Sequence, residues 1–381
     1  MNFRDDDHDH SINLVGLDDD LISIIGPERG LTEIMAEIRS DPEVFQQYME
    51  LSNPLRQEVL SFCAGTRGVK MTYDPFFKFI FDPCVDPERL ERFLSCCMAQ
   101  PVTIVEVIPN ESRRFTEDSS LLIMDIVVRL HSGALVNVEI QRVGYFFPGA
   151  RCACYSSDLM MRQYSQIRAK HRKKGTRFSY KDIKTVYTIV LMQKSTNEFH
   201  MLPNHYLHYG KVKFNTGLDL DLLQEYLLIP LDIFLKIPHN NISELDAWLY
   251  FISSDNVGDI MRVIKAQPKF EELYREVFQF RFRIKELVGM FSEALRILDA
   301  NTVQYMIEEQ QKELEKMRLE ARARDEQLSQ AESQLAHTSD QLSQAESQLA
   351  HTSDQLSQAE SQLAEKDLEI QRLKALLAGK S

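Results

Sequence analysis

Leu121-Leu122-Ile123-Met124-Asp125-Ile126-Val127-Val128 and Leu135-Val136-Asn137-Val138-Glu139-Ile140-Gln141, joined through a His131-Ser132-Gly133 turn, decide how this chain is read. Two short apolar runs bounded by turn residues predict a β-hairpin. Each run carries polar residues where apolar ones belong: Asp125 inside the first strand, Glu139 and Gln141 inside the second. A carboxylate among Ile and Val is costly to bury unless something binds it. Two carboxylates on adjacent strands repel unless a proton or a cation lies between them. A divalent-metal site is therefore the expectation, and phosphodiester hydrolysis the chemistry that goes with it. Strand residues i and i+2 share a face, so Glu139 and Gln141 project together while Val138 and Ile140 go to the other side. Two carboxylates, a backbone carbonyl and waters suit Mg²⁺, which polarises a phosphate and acidifies an attacking water. Glu139 can also orient that water, and Gln141 offers an amide to the nucleophile or the scissile phosphate. The plainer reading is a structural hydrogen-bond network or an exposed strand face. It fits each residue singly, and the joint pattern of Asp followed fourteen residues later by Glu-x-Gln less well.

Working outward, Pro87 to Ala99 reads as a helix with Leu90, Phe93, Leu94 and Cys97 on one face, and Val102 to Val107 alternates as a strand. The hairpin strands, Ser119–Arg129 and Leu135–Gln141, follow. Pro148 to His171 predicts a long helix and Val186 to Met192 a buried strand. Helix, three meander strands, helix and strand make a mixed sheet flanked by helices, an α/β domain. Upstream, Tyr73 to Phe81 is a short helix or aromatic knot with Asp74 as its N-cap and Pro75 just after. Phe77 and Phe81 are expected in the core. Residues 31–66 read as two helices, Leu31–Arg39 and Pro42–Cys63, forming an extension packed on that core. From Phe199 to about Asp299 the pattern is strand-like and then mainly helical. The resulting division is 1–69, an acidic tail and helical extension; 70–195, the α/β core; 196–304, a mainly helical continuation; and 305–381, a coiled coil.

The tail differs in kind. Ala331 to Gln344, AESQLAHTSDQLSQ, is repeated without change from Ala345 to Gln358 and begins again at Ala359. The unit is two heptads, with Leu at 328, 335, 342, 349, 356 and 363 and Ala or Thr four residues before each Leu from 335 on. This is an a/d pattern, and it predicts a coiled coil and self-association. At ~1.5 Å per residue, Ile307 to Leu377 makes a rod of ~105 Å. Ala and Thr fill the seam poorly, so a weak or antiparallel coil is expected, and a solvated single helix is the alternative.

The net charge of −13 argues against a nucleic-acid binder until it is divided along the chain. The N-terminus is acidic, with Asp5-Asp6-Asp7 and Asp18-Asp19-Asp20. Arg168, Lys170, Arg172, Lys173, Lys174 and Arg177 fall within ten residues with no acid among them. These cations either neutralise phosphates or form a solvated helix end favoured by the macrodipole. Asp6-Asp7-His8-Asp9-His10 can bind a metal but is far more often a solvated tail. Six cysteines without zinc spacing predict a reducing compartment and no disulfide framework. With no signal-peptide pattern and no run approaching the ~18 apolar residues of a membrane span, a cytoplasmic protein is expected.

The hairpin, together with Asp74-Pro75-Phe76-Phe77-Lys78, Pro109-Asn110-Glu111 and Arg151-x-x-x-Tyr155, resembles the PD-(D/E)XK nuclease superfamily. More closely it resembles the recombination-promoting nucleases, also described as PD-(D/E)XK nuclease family transposases, over roughly residues 70 to 300. The resemblance implies a restriction-endonuclease-like core and a Mg²⁺-dependent DNA endonuclease (Mn²⁺ substituting) tied to recombination or a transposable element. By it Asp125 and Glu139 are metal ligands and Gln141 completes the catalytic set, standing where the superfamily has Lys. Gln carries no charge to stabilise a pentavalent phosphate. The superfamily also often places an acid on the first core helix, for which Glu88 and Glu91 are available. Lys78 is a supporting or DNA-contacting residue in this reading. Arg151 and Tyr155, four apart on one helical face, either meet the phosphate backbone or brace the Glu139 strand. The alternative function is a nuclease-fold protein, weak or inactive in catalysis, that binds DNA and self-associates through its coiled coil.

Overall fold

The computed structural model describes residues 24–108, 124–142 and 148–378. The acidic tail, the Pro109-Asn110-Glu111 motif and the first residues expected in the leading hairpin strand lie outside the described residues. The chain divides into two compact units, one ending at Asp299 and the other beginning at Ala300.

In the first unit the extension forms three helices rather than two: α1 (Leu31–Ser40), α2 (Pro42–Glu50) and α3 (Asn53–Ala64). Leu51 and Ser52 are extended between α2 and α3. Pro54 has no N–H to give, which costs nothing in the first turn of a helix, so the helix restarts with proline in that turn. α4 (Asp74–Ile80) and α5 (Pro87–Met98) follow. Tyr73, not Asp74, is the N-cap of α4, and Asp74 is its first helical residue. That frees the Asp74 carboxylate to bond Lys78 Nζ at 2.8 Å one turn on. Phe77 and Phe81 are fully buried, their rings in tilted contact with centroids 4.9 Å apart.

The sheet has six strands in the order β1-β2-β3-β4-β6-β5: β1 (Ile104–Ile108), β2 (Ile126–Leu130), β3 (Leu135–Gln141), β4 (Val186–Met192), β5 (His208–Lys211) and β6 (Gln224–Pro230). β1, β2 and β3 form an antiparallel meander, β3, β4 and β6 run parallel, and β5 returns antiparallel along the edge. The mixed sheet is as expected, and two of its strands come from the first part of the segment after Phe199, read as strand-like before it turns mainly helical. β6 sits inside the sheet with an apolar run, Leu227 to Pro230, and no clean alternation, which suits a parallel strand covered on both faces. The β2–β3 turn needs Gly133, whose φ is +86°.

α6 (Pro148–Lys174) connects β3 to β4 and covers one face of the sheet. Helices α4, α5, α9 (Glu244–Ser253), α10 (Val257–Ala266) and α11 (Phe270–Phe278) share the larger core on the other face; α7 (Asn197–His200) and α8 (Leu231–Phe234) are single turns in the connections flanking β5 and β6. Ile34, Ile38, Val59 and Phe62 of the extension belong to that same core. Arg281, the largest fully buried side chain, ties the extension down. It donates to the carbonyls of Cys63 (3.1 and 3.2 Å), Pro27 (2.9 Å) and Ile25. Gly65 makes room for it: φ there is +86°, and a Cβ would lie 2.5 Å from Arg281 Nη2.

The second unit is helical to Ala378, the end of α12 (Ile284–Ala378). Its recurring leucines, from Leu328 through Leu363, are exposed in the single chain. No helix among the described residues is long and apolar enough to cross a membrane.

Candidate active site

β3 is buried along nearly its whole length, polar residues included: Asn137 is fully buried, and Glu139 and Gln141 are 3% exposed. These three share the face that packs on α6, where Leu135, Val127, Tyr155 and Leu159 make a small apolar cluster. Asp125 differs from its expected place. It stands in the bend just before β2, not inside the strand. The register, Val127 opposite Asn137 and Ile126 opposite Val138, brings Asp125 opposite Glu139 when continued by one residue. The reason the ladder stops there is chemical. Ile140 N donates to Asp125 Oδ2 at 2.6 Å, and Asp125 N donates to Glu139 Oε1 at 3.3 Å. The carboxylates take the place of ladder carbonyls, so each strand's backbone holds the other strand's acid.

Both acids are pushed upward in pKa. For Asp125 burial is the main cause, followed by the neighbouring charges of Glu139 and Asp74; Lys78 and the Ile140 N–H act against them. Burial likewise pushes Glu139 up to about 7, with Asn137, Arg151 and the Asp125 N–H opposing it. Lys78 Nζ lies 3.8 Å from Asp125 Oδ1 and 2.8 Å from Asp74 Oδ2. Burial disfavours its charge, but Asp125, Asp74 and Glu139 outweigh burial and hold its pKa above the usual lysine value. Lys78 faces Asp125 and the Arg151 charge acts on Glu139, yet burial still raises the pKa of both acids.

The donor set fits a hard divalent cation that keeps part of its hydration. Among the described residues no group of three or more His, Cys, Asp and Glu side chains forms a cage. Asp125 and Glu139 offer two carboxylates here, beside a Gln141 amide whose buried Nε2 has no hydrogen-bond partner among the described residues.

Arg151 and Tyr155 meet one another on the first turns of α6: Arg151 Nε donates to Tyr155 Oη at 2.7 Å. Tyr155 is buried, and the Arg151 charge acts on Glu139. The basic run is not brought to this place. Arg129, at the end of β2 away from Asp125, donates to Gln166 at 2.8 Å, and Gln163 bonds Lys184 just ahead of β4. α6 therefore runs antiparallel to β3 and β4, and Arg168 to Arg177 lie at the opposite end of the sheet from Glu139.

Neither expected helix acid reaches the pair. Glu91 Oε1 accepts from Ile104 N at 2.6 Å and pins α5 to the start of β1, while Glu88 is exposed. The acid that both Asp125 and Glu139 feel is Asp74 on α4. Its signal was the Asp-Pro pair opening a helix with Lys four residues later. Arg142 was also missed. It directly follows Gln141, and its guanidinium carbon sits 3.9 Å from the centroid of the Tyr73 ring. Its buried Nε has no hydrogen-bond partner among the described residues.

A family model described as PD-(D/E)XK nuclease family transposase matches residues 71–304, more than half of the chain. No curated protein and no solved structure matches.

Proposed function

From the premise that the chain belongs to the PD-(D/E)XK nuclease family transposases, we propose that it is a metal-dependent DNA endonuclease serving recombination or a mobile element. The observation that carries this reading is the Asp125–Glu139 pair: two buried carboxylates on neighbouring strands, each oriented by the other strand's backbone N–H. Asp125 and Glu139 would hold Mg²⁺ or Mn²⁺. The cation supplies Lewis-acid polarisation of a phosphodiester oxygen and lowers the pKa of water. Glu139 orients the attacking water. Gln141 offers its unpartnered amide to that water or to a phosphate oxygen, which requires no charge on the side chain. Lys78 opposes the protonation of Asp125 that burial favours, and Arg151, bonded to Tyr155, does the same for Glu139. Arg142, held flat on Tyr73, presents a cation to the phosphate backbone beside the scissile bond. The leucine stripe of α12 is the proposed seam of a homo-oligomeric coiled coil. The described residues hold no membrane-spanning helix, and a cytoplasmic location is part of the proposal.

The deciding experiment is cleavage of single-stranded, duplex and branched DNA with Mg²⁺, Mn²⁺ or EDTA, by wild type, Asp125→Asn and Glu139→Ala. Cleavage only with metal, lost in both variants while their folding is intact, is the expected result. Equal activity in all three proteins would sink the reading. DNA binding without any cleavage, and no Mn²⁺ heat at Asp125, would favour the non-catalytic DNA-binding scaffold. Size-exclusion chromatography with light scattering, with and without residues 305–381, tests the seam; a monomer in both cases rejects it.

A further inference from the structure

The end of α6 remote from the acid pair carries a surface that the cleavage chemistry does not use. By helical spacing, Tyr164, Arg168, His171 and Arg172 lie along one side of α6. The chain then turns at Gly175 and lays Phe178 and Tyr180 back over that side. The Tyr164 and Phe178 rings meet edge-on at 5.3 Å, and Tyr164 and Tyr180 lie nearly parallel, 14° apart in plane and 6.2 Å between centroids. Arg168 is fastened to the knot by a 2.9 Å bond from Nη1 to Tyr164 Oη. His171 is fastened to it by Thr176 at 2.7 Å and Asp182 at 3.2 Å. The ring of Tyr180 is nevertheless 73% exposed.

An aromatic knot needs its rings inside to add to stability, and one that holds a tyrosine face open to water gains little from it. Around it Arg172, Lys173, Lys174, Arg177 and Lys181 are exposed, and none has an acidic partner among the described residues. Asp182, the acid of this segment, is already engaged by His171 and by the Ser179 N–H. A fixed, open aromatic face ringed by unpaired cations suits a ligand with both a π-face and a phosphate, which is a nucleotide of a single strand. In a duplex the bases are stacked on one another and offer no face to Tyr180.

We propose that the Tyr164–Phe178–Tyr180 knot and the surrounding cations form a second DNA-binding surface that stacks a base of single-stranded DNA on Tyr180. It rests on the reading of the chain as a DNA-acting protein. At roughly 1.5 Å per residue the surface lies about 25 Å along α6 from Arg151, so it engages a flank of the substrate, not the scissile phosphate. A substrate with an unpaired flank would thereby be held in one polarity relative to the Asp125–Glu139 pair.

The test is fluorescence anisotropy of a labelled oligothymidine and of a labelled duplex, in EDTA, with the full chain. Tyr180→Ala is expected to weaken single-strand binding by about tenfold and duplex binding much less, while Tyr180→Phe, which keeps the ring, binds as wild type does. An Arg168→Ala, Arg172→Ala, Arg177→Ala triple variant is expected to lower the salt dependence of single-strand binding by about two log units per log salt. Wild-type affinity in Tyr180→Ala, equal loss in Tyr180→Phe, proportional loss on duplex, or no single-strand binding at all would each overturn the proposal. The assay does not involve cleavage, so it stands if the nuclease assay fails. Conversely, Asp125→Asn is expected to bind the oligothymidine as tightly as wild type.

Discussion

Alternate residues of the same two strands build opposite environments. Val136, Val138, Ile189 and Leu191 point into the large core beneath α4, α5 and α9, where neighbouring side chains are apolar. Asn137, Glu139, Gln141 and Thr188 point toward α6 and are just as deeply buried. Among the described residues, Gln141 Nε2 and Thr188 Oγ1 have no hydrogen-bond partner. The first face gains by excluding water. The second loses stability by doing the same thing, since each buried polar group left unpaired costs about 1–3 kcal/mol. One sheet can hold both because the apolar face and the helices around it stabilise the position of the polar one. The site is a cost carried by the core on the other side.

The strongest way to break this division is to move a charge across it. Val138→Asp puts an unpaired carboxylate one residue from Glu139 on the wrong face, and is expected to cost more than about 4 kcal/mol; loss of a cooperative thermal transition by circular dichroism is the readout. Next comes Glu139→Gln. It should remove cleavage by roughly 10²- to 10³-fold, several kcal/mol of transition-state stabilisation, and yet raise the melting temperature of the metal-free protein at pH 8. A variant both dead and less stable would mean the acid is structural.

pH sharpens the contrast without mutation. Glu139 has a folded-state pKa of about 7, above its ordinary value. The folded protein therefore binds more protons than the unfolded chain between about pH 4.5 and pH 7, and stability falls as pH rises through that window. Asp125, raised for the same reason, shifts stability in the same direction. A divalent cation reverses the penalty only where the pair is ionised. Its stabilisation of the melting temperature should thus grow from near nothing at pH 5 to a few degrees at pH 8; a metal effect independent of pH would remove the pair as its binding site. The smallest effect is expected for Arg142→Ala: DNA affinity reduced by about fivefold, with the maximal cleavage rate within twofold of wild type.

The α6 face is also why the hairpin could be read so directly from sequence. Buried carboxylates in apolar strands violate local expectation, and such violations mark sites. β4 was legible to the residue because a continuous apolar run bounded by polar residues admits few other fates. β6 was not, since Gln224-Glu225-Tyr226 looks like an exposed strand or a loop until β4 lies beside it. Asp74 was visible as a helix start but not as a neighbour of Asp125; that neighbourhood is set by the tertiary packing of α4, which no local pattern encodes. Glu91 failed for the complementary reason. It lies on the first core helix, where the resemblance places an acid, but the N–H of Ile104 claimed it. The position of the basic run at the far end likewise follows from strand direction, not from the residues of the run.

Arg281 has a consequence for where the molecule can be cut. The family match begins at Met71, yet four carbonyl acceptors of this buried guanidinium belong to Ile25, Gly26, Pro27 and Cys63. A chain shortened to begin at Met71 would lose all of these acceptors, together with Ile34, Ile38, Val59 and Phe62 of the shared core. The family boundary is therefore not a folding boundary. A fragment starting at Met71 should be insoluble alone and recover when residues 24–69 are supplied as a separate peptide, which makes the extension a split-protein handle on an otherwise continuous enzyme body.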